Sequence, residues 1–109
     1  MTVITQNRME KALTFLAETS DQMAELDDEY RSAALAVKKI KAAVYVAESG
    51  GVEQRKALAE NHPETLSAEQ RESDAHLAYQ KLKNKRDFED KYIEVWRSVN
   101  SSRNRGNIV

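Results

Sequence analysis

The chain has 109 residues, a formal net charge of −1 and no cysteine. The lack of cysteine excludes disulfides, thiolate catalysis and Cys-based zinc sites, and the near-neutral charge gives the whole molecule no strong attraction to DNA or an acidic membrane. Hydrophobic residues make up 40% and charged residues 32%, with only three glycines and one proline. This composition predicts a single all-α domain.

A long first helix is predicted from about residue 5 to about residue 48. Thr5 can cap its start, and an apolar stripe with spacings of three and four residues runs from Met9 to Ala47. A repeat of 3.5 residues kept over this length is typical of helices that wind around each other, so the helix needs a partner. The segment Thr19–Gln22 reads as a capping box at which the helix could break, whereas the unbroken phase of the stripe favours a continuous helix.

A short amphipathic helix is predicted next, over about residues 52–61. The preceding Ser49–Gly51 turn ends the first helix, because glycine adopts positive φ without strain. The short helix is expected to end at His62, since the residue before a proline disfavours helical conformation.

A second long helix is predicted from Ser67, which opens another capping box, to about residue 101. Residues 102–109 carry no apolar stripe and are expected to form a flexible basic tail. The apolar positions of this helix are Ala75, Ala78, Tyr79, Leu82, Phe88, Tyr92, Ile93, Trp96 and Val99.

The two long helices are predicted to form an antiparallel helical hairpin with coiled-coil-like packing. The second stripe is shorter than the first and is interrupted at Lys85 and Arg86, so it cannot cover the whole first helix. We therefore expect a homo-oligomer. The residues expected to form the packing and oligomer seam are Met9, Leu16, Met23, Leu26, Tyr30, Val37, Ile40, Val44 and Trp96.

The stripes and charges together predict a register for this hairpin. If the two helix ends at the connector lie together, Tyr30 falls near Lys85, and Leu16 falls near Val99. The same register brings the acidic run around Asp27 close to the basic run around Lys85. Opposed charges of this kind select register more than they add stability.

No set of residues has the composition or spacing of a catalytic or metal site. His62 and His76 lie outside any carboxylate cluster, whereas a zinc site needs three or four closely spaced ligands. Glu25 and Glu29 share a helix face but lack the accompanying Glu-x-x-His motif of di-metal bundles. The protein is therefore predicted to be non-enzymatic, with no cofactor, no metal and no small-molecule substrate.

The sequence also predicts no membrane partner. No apolar run approaches the roughly 20 residues of a membrane span. The N-terminal residues are too few and too weakly charged for a signal peptide, so a cytoplasmic location is expected.

Basic residues supply the candidate binding site. The lysines late in the first helix could bind phosphates, although the macrodipole at a helix C-terminus also favours cations there. After Val95 the chain has arginines and no acid, and beside Tyr92 and Trp96 they could bind a phosphate backbone and offer a stacking face. Trp96 itself falls on the apolar stripe and is more simply explained as a core residue. The candidate nucleic-acid-binding residues are Lys38, Lys39, Lys41, Arg55, Lys56, Arg97, Arg103 and Arg105.

Two stretches carry a resemblance to a known group of proteins: KIKAAVYVAESGGVEQRKA at residues 39–57 and IEVWRSVNSSRNRGN at residues 93–107. Together they resemble small all-α phage proteins encoded among replication and recombination genes, which are similar in size and layout to UvsY-type recombination mediators. The resemblance implies single-stranded DNA binding, a helical oligomer and contacts with a recombinase or a single-strand binding protein. For a phage-encoded protein, the compartment would be the cytoplasm of the bacterial host.

The function expected from the sequence is that of a non-enzymatic, phage-type accessory protein of DNA recombination or replication. As an oligomer it would bind single-stranded DNA, a recombinase, or both. The alternative is a helical structural or regulatory adaptor that binds another protein and no nucleic acid. Steep salt dependence of binding would distinguish the first function from the second.

Overall fold

The computed structural model describes residues 5–106, with side chains as far as residue 104. These residues form four helices and no strand, so the predicted all-α class is confirmed. They divide into two compact units, one of residues 24–80 and one of residues 5–23 with 81–106. None of the helices described is long and apolar enough to cross a membrane. The helices are α1 (Gln6–Glu18), α2 (Ser20–Ala47), α3 (Val52–Asn61) and α4 (Pro63–Gly106).

The first predicted helix is interrupted at Thr19. This residue leaves helical conformation, with φ −101° and ψ 3°, so α1 ends before it and α2 starts after it. Its hydroxyl donates a 2.7 Å hydrogen bond to the carbonyl of Phe15, and such bonding competes with helical geometry. The prediction of a continuous helix is therefore wrong at this residue. The interruption is short, because the N–H of Met23 still bonds to the Thr19 carbonyl at 2.9 Å.

Local capping explains where α1 begins and where α2 gives way to α3. The Thr5 hydroxyl accepts a 3.1 Å hydrogen bond from the N–H of Arg8, which confirms the predicted cap. After α2, Gly50 has φ 117°, in the region that glycine alone enters without strain. Gly51 then stands in extended conformation at the start of α3, where its carbonyl accepts the N–H of Arg55.

The last helix starts earlier and ends later than the sequence indicates. His62 is extended, as its place before proline predicts, and its Nδ1 accepts the N–H of Glu64 at 3.1 Å. Pro63 suits the first position of α4 because it has no N–H to leave unpaired. The predicted start at Ser67 is therefore too late, and the capping box there lies inside the helix. Residues 102–106 are helical rather than a flexible tail, since nothing before Gly106 breaks the helix. The rest of the predicted tail, residues 107–109, lies outside the described residues.

In the unit of residues 24–80, α2 and the first part of α4 pack antiparallel. The Tyr30 ring lies 4.8 Å from the ring of His76 and 5.9 Å from that of Tyr79, measured between centroids. Farther along, Lys41 approaches Glu69, so the contacts run in opposite directions along the two helices. The prediction that Tyr30 lies near Lys85 is wrong by about two helical turns. A heptad stripe still meets its partner after a shift of seven residues, so the stripes alone could not fix the register.

In the unit of residues 5–23 and 81–106, α1 packs against the later part of α4. Arg8 forms a 2.7 Å ion pair with Glu89, and Arg86 donates a 2.8 Å hydrogen bond to the carbonyl of Leu16. The predicted neighbour of Leu16 was Val99, so the register is again wrong. Asp27 pairs with Arg31 of its own helix and Arg86 bonds to Leu16 and Thr19, so these two residues of the predicted acidic and basic runs do not pair with each other.

The predicted seam residues lie in the interior or at the edges of the two helix pairs. Val37 and Val44 are buried, and the other seam residues, Met9, Leu16, Met23, Leu26, Tyr30, Ile40 and Trp96, are half-buried. Small side chains dominate what is fully covered, so the helices approach closely and little apolar area is buried. The buried apolar residues are Ala12, Ala33, Val37, Val44, Ala59, Ala68, Ala75, Leu82 and Ile93.

Candidate nucleic-acid interface

The later part of α2 is locally basic although the whole chain is near neutral. Between Tyr30 and Ala47 the helix carries one arginine and three lysines and no acidic residue. This segment is uninterrupted helix, so the position of each side chain around the axis follows from its number. A local positive surface therefore exists where the net charge of −1 gives no hint of it.

Two of the predicted lysines share one face of α2 with a tyrosine. Lys38, Lys41 and Tyr45 are spaced by three and four residues and lie in a row along the helix. Lys38 is exposed and has no ion pair within the described part of the chain. Lys41 Nζ lies 3.5 Å from Glu69 Oε1, with the side chains 40% and 43% exposed. Solvent screens so exposed a pair, and a phosphate could replace the carboxylate.

Arg55 of α3 joins this row by stacking on Tyr45. Its Cζ lies 4.2 Å from the centre of the tyrosine ring, and its Nε donates a 3.0 Å hydrogen bond to the Tyr45 carbonyl. That carbonyl is one of the last four of α2, which have no partner inside the helix, so Arg55 caps the helix end. We call Lys38, Lys41, Tyr45 and Arg55 the basic face.

The basic face includes one residue that was not predicted and leaves out five that were, two of which belong to the same unit. Tyr45 was missed, although its position four residues after Lys41 on a helix could have indicated it. Lys39 is exposed but points about 100° away from Lys38, on another face of α2. Lys56 is exposed and lies 3.9 Å from Glu53 of its own helix.

The remaining predicted arginines belong to α4, in the other unit. Arg97 and Arg103 are exposed, and the Arg105 side chain lies outside the described residues. The stacking face predicted beside these arginines includes Tyr92. The Arg8 guanidinium lies 4.6 Å from the centre of the Tyr92 ring, and the Tyr92 hydroxyl is buried, so this ring is partly covered. Trp96 is half-buried, in keeping with its interpretation as a core residue.

Neither histidine is placed as a metal ligand in the described part of the chain. His62 Nδ1 accepts a backbone N–H, and His76 packs against the Tyr30 ring. No three His, Asp or Glu side chains among the described residues cluster closely enough to hold a metal ion.

Comparison with protein-family models, curated proteins and solved structures finds no match to the chain. The chemistry of the basic face is therefore what indicates a ligand. Ammonium and guanidinium groups bind phosphates, and a tyrosine ring stacks on bases irrespective of sequence.

Proposed function

We propose that the protein is a non-enzymatic accessory protein of DNA recombination or replication that binds single-stranded DNA as an oligomer. The observation that carries this proposal is the basic face. Lys38 and Lys41 stand in line along α2, and the Tyr45–Arg55 stack follows them in the same row. Such a row combines contacts to the phosphate backbone with an arginine–tyrosine stack, in which the Arg55 guanidinium that covers one side of the Tyr45 ring offers its own plane to a base.

The resemblance of residues 39–57 and 93–107 to small phage proteins supports the same proposal. The first stretch contains most of the basic face, from Lys41 to Arg55. In a mediator-like role the protein would bring a recombinase or a single-strand binding protein to the DNA. Repetition of the basic face in an oligomer would strengthen binding, because each small patch then acts at high effective concentration.

Fluorescence anisotropy with a labelled oligothymidine, measured over a series of salt concentrations, tests DNA binding. The logarithm of the affinity should fall with the logarithm of salt concentration by about 0.7 for each phosphate contact. Replacing both Lys38 and Lys41 by alanine should weaken binding and lower this slope by about 1.4. Lys11→Ala removes an exposed lysine of α1 and should leave both quantities unchanged. No binding at low salt would refute the proposal.

The stacking part of the proposal has its own test at Tyr45. Tyr45→Phe keeps the ring and should keep the affinity, whereas Tyr45→Leu should weaken binding by about 1 kcal/mol or more. Equal affinities of the two variants would show that bases do not stack there. Circular dichroism checks that both variants remain helical.

A protein-binding adaptor is the second candidate function, and a different face of α2 favours it. Leu35, Ala42 and Val46 are exposed and spaced by seven and four residues, so they form an apolar line with Lys39 between them. An apolar helix face of this kind fits a groove on another protein. Binding of this kind to another protein should respond little to salt and should be lost in Leu35→Asp. The same variant should bind the labelled oligothymidine as the natural chain does, measured by fluorescence anisotropy.

A further inference from the structure

The later part of α4 has two apolar faces rather than the single stripe that the sequence predicts. The inner face is the one that contacts α1 through Arg86 and Glu89. Three apolar residues continue this face at spacings of three or four residues from those two: Leu82, Ile93 and Trp96. A second set of apolar residues lies to one side of the inner face. Its members follow one another at spacings of four, three and four residues: Phe88, Tyr92, Val95 and Val99. We call these four residues the outer face.

The outer face is only partly covered in the described structure. Phe88 is 64% exposed and Val95 39% exposed, and Val99 is half-buried. Tyr92 has Arg8 over its ring and is also half-buried. Phe15 of α1 extends the surface, because it shares with Phe88 an open groove of about 330 Å³. An apolar row at heptad spacing that is only partly covered is the pattern of a coiled-coil seam without its partner helix.

We propose that a second copy of this chain covers the outer face, with the two α4 helices antiparallel about a two-fold axis. The spacing of four, three and four reads the same in both directions along the helix. Antiparallel pairing therefore sets Phe88 against the partner's Val99 and Tyr92 against the partner's Val95. Each aromatic ring meets a smaller β-branched side chain, and the interface is self-complementary, as a two-fold contact must be.

The residues flanking the outer face favour the antiparallel arrangement over a parallel one. In the antiparallel dimer the next layer pairs Lys85 with the partner's Ser102, which avoids a charge conflict. In a parallel dimer Lys85 would meet the partner's Lys85, and like charges that face each other across an interface are destabilising. The bulky Phe88 would also meet the partner's Phe88, while the valines left a gap beside them.

This inference deepens the proposed function, on whose oligomeric state it rests, and its tests do not involve DNA. Sedimentation velocity over a wide range of protein concentration should show a monomer–dimer equilibrium. Phe88→Asp and Val95→Asp should each shift the protein to monomer, with helicity retained because both side chains are exposed. Leu58→Asp is the matched control, since Leu58 is 40% exposed on α3 and lies outside the outer face. A protein that is monomeric at every concentration, or a dimer that both Asp variants on α4 leave intact, would overturn the proposal.

Cysteine cross-linking tests the direction of the pairing, because the natural chain has no cysteine to interfere. Lys85→Cys and Ser102→Cys are prepared as separate proteins, both at exposed positions. After mixing and oxidation, a disulfide-linked dimer containing one copy of each variant should form in high yield, and neither variant alone should cross-link efficiently. Efficient cross-linking of each variant with itself would indicate a parallel dimer, and no cross-linking in the mixture would indicate a different contact. Either outcome would refute the antiparallel dimer while leaving the DNA titration unaffected.

Discussion

The guanidinium of Arg86 donates a 2.6 Å hydrogen bond to the hydroxyl of Thr19, so α4 directly contacts the residue at which α1 and α2 separate. The same Arg86 nitrogen also donates to the carbonyl of Leu16 at 2.8 Å. One side chain thus bonds to both a side chain and a backbone group at the helix break. The break and the arginine together form a structural unit that the heptad stripe does not encode.

Removal of this arginine should destabilise the protein. Arg86→Met keeps an unbranched stem but leaves the Leu16 carbonyl and the Thr19 hydroxyl without their charged donor. We expect the free energy of unfolding, measured by urea denaturation, to fall by about 1.5–3 kcal/mol. Arg97→Met makes the same change at an exposed position of α4 and should alter stability by less than about 0.5 kcal/mol. Equal losses in the two variants would contradict a role for the contact at Thr19.

The Arg8–Glu89 ion pair should make a modest contribution to the free energy of unfolding, and this contribution should not change with pH near neutrality. The hydrogen bond to Glu89 raises the pKa of Arg8, although desolvation partly opposes it. A raised pKa gives stability that is fully present below the unfolded-state pKa and is lost only as pH rises through the higher folded-state value. The side chains are 31% and 17% exposed, so a double-mutant cycle with Arg8→Met and Glu89→Gln should give a coupling of about 0.5–1 kcal/mol.

The loss of stability in Arg8→Met should accordingly be constant across the neutral pH range, because arginine stays protonated there. The loss is the difference in the free energy of unfolding between this variant and the natural chain. Urea denaturation of both proteins at acidic, neutral and mildly alkaline pH measures this difference. A loss that disappears on going from neutral to mildly alkaline pH would contradict the assignment to the Arg8 charge.

The two adjacent glycines of the α2–α3 turn should differ in their response to alanine. Gly50 has φ 117°, and a Cβ there would lie 2.6 Å from Gln54 Oε1, so Gly50→Ala should destabilise the protein by about 1–3 kcal/mol. Gly51 has φ −73° and open space where a Cβ would stand. Gly51→Ala should therefore change stability by less than about 0.5 kcal/mol, because the entropic gain in the unfolded chain is offset by the poor preference of alanine for an N-cap position. Thermal denaturation measures the melting temperature of each variant. Similar melting temperatures for the two variants would refute the predicted difference.

Neutralising Glu69 should strengthen DNA binding if the basic face is the DNA site. Glu69→Gln removes the carboxylate that Lys41 contacts and frees the ammonium for a phosphate. Because an exposed pair is worth up to about 1 kcal/mol, the affinity should rise by up to about fivefold. Glu64→Gln makes the same charge change at an exposed residue of α4 that does not pair with Lys41. Equal gains in both variants would indicate a general charge effect rather than a local one.

Helical periodicity predicted the fold class and, on α2, which residues turn inward, because a helix presents the same positions around its axis to its partner. Val37 and Val44 are buried as the stripe indicates. Periodicity could not give the register, since a shift of one heptad keeps every apolar residue at the interface. Tyr30 consequently lies beside His76 and Tyr79 rather than Lys85.

The candidate site was predictable in part, for a similar reason. Runs of lysine are visible in the sequence, so Lys38 and Lys41 could be selected from it. The stacking of Arg55 on Tyr45 depends on how α3 turns back after Gly50, and no local pattern specifies that turn angle. The break at Thr19 was visible as a capping box, but the continuity of the stripe outweighed it, because a one-residue interruption leaves the phase nearly unchanged.

Trp96 is the only tryptophan of the chain and belongs to the unit of residues 5–23 and 81–106. Tyr30, Tyr45 and Tyr79 belong to the unit of residues 24–80. Tyr92, the fourth tyrosine, lies in the same unit as Trp96. Indole fluorescence therefore follows the unit of residues 5–23 and 81–106, whereas tyrosine absorbance is weighted three to one toward the unit of residues 24–80. Coincidence of the two optical transitions would mean that the units melt together, and separation would mean that each melts alone. The natural chain thus carries an indole reporter in one unit and three of its four tyrosines in the other.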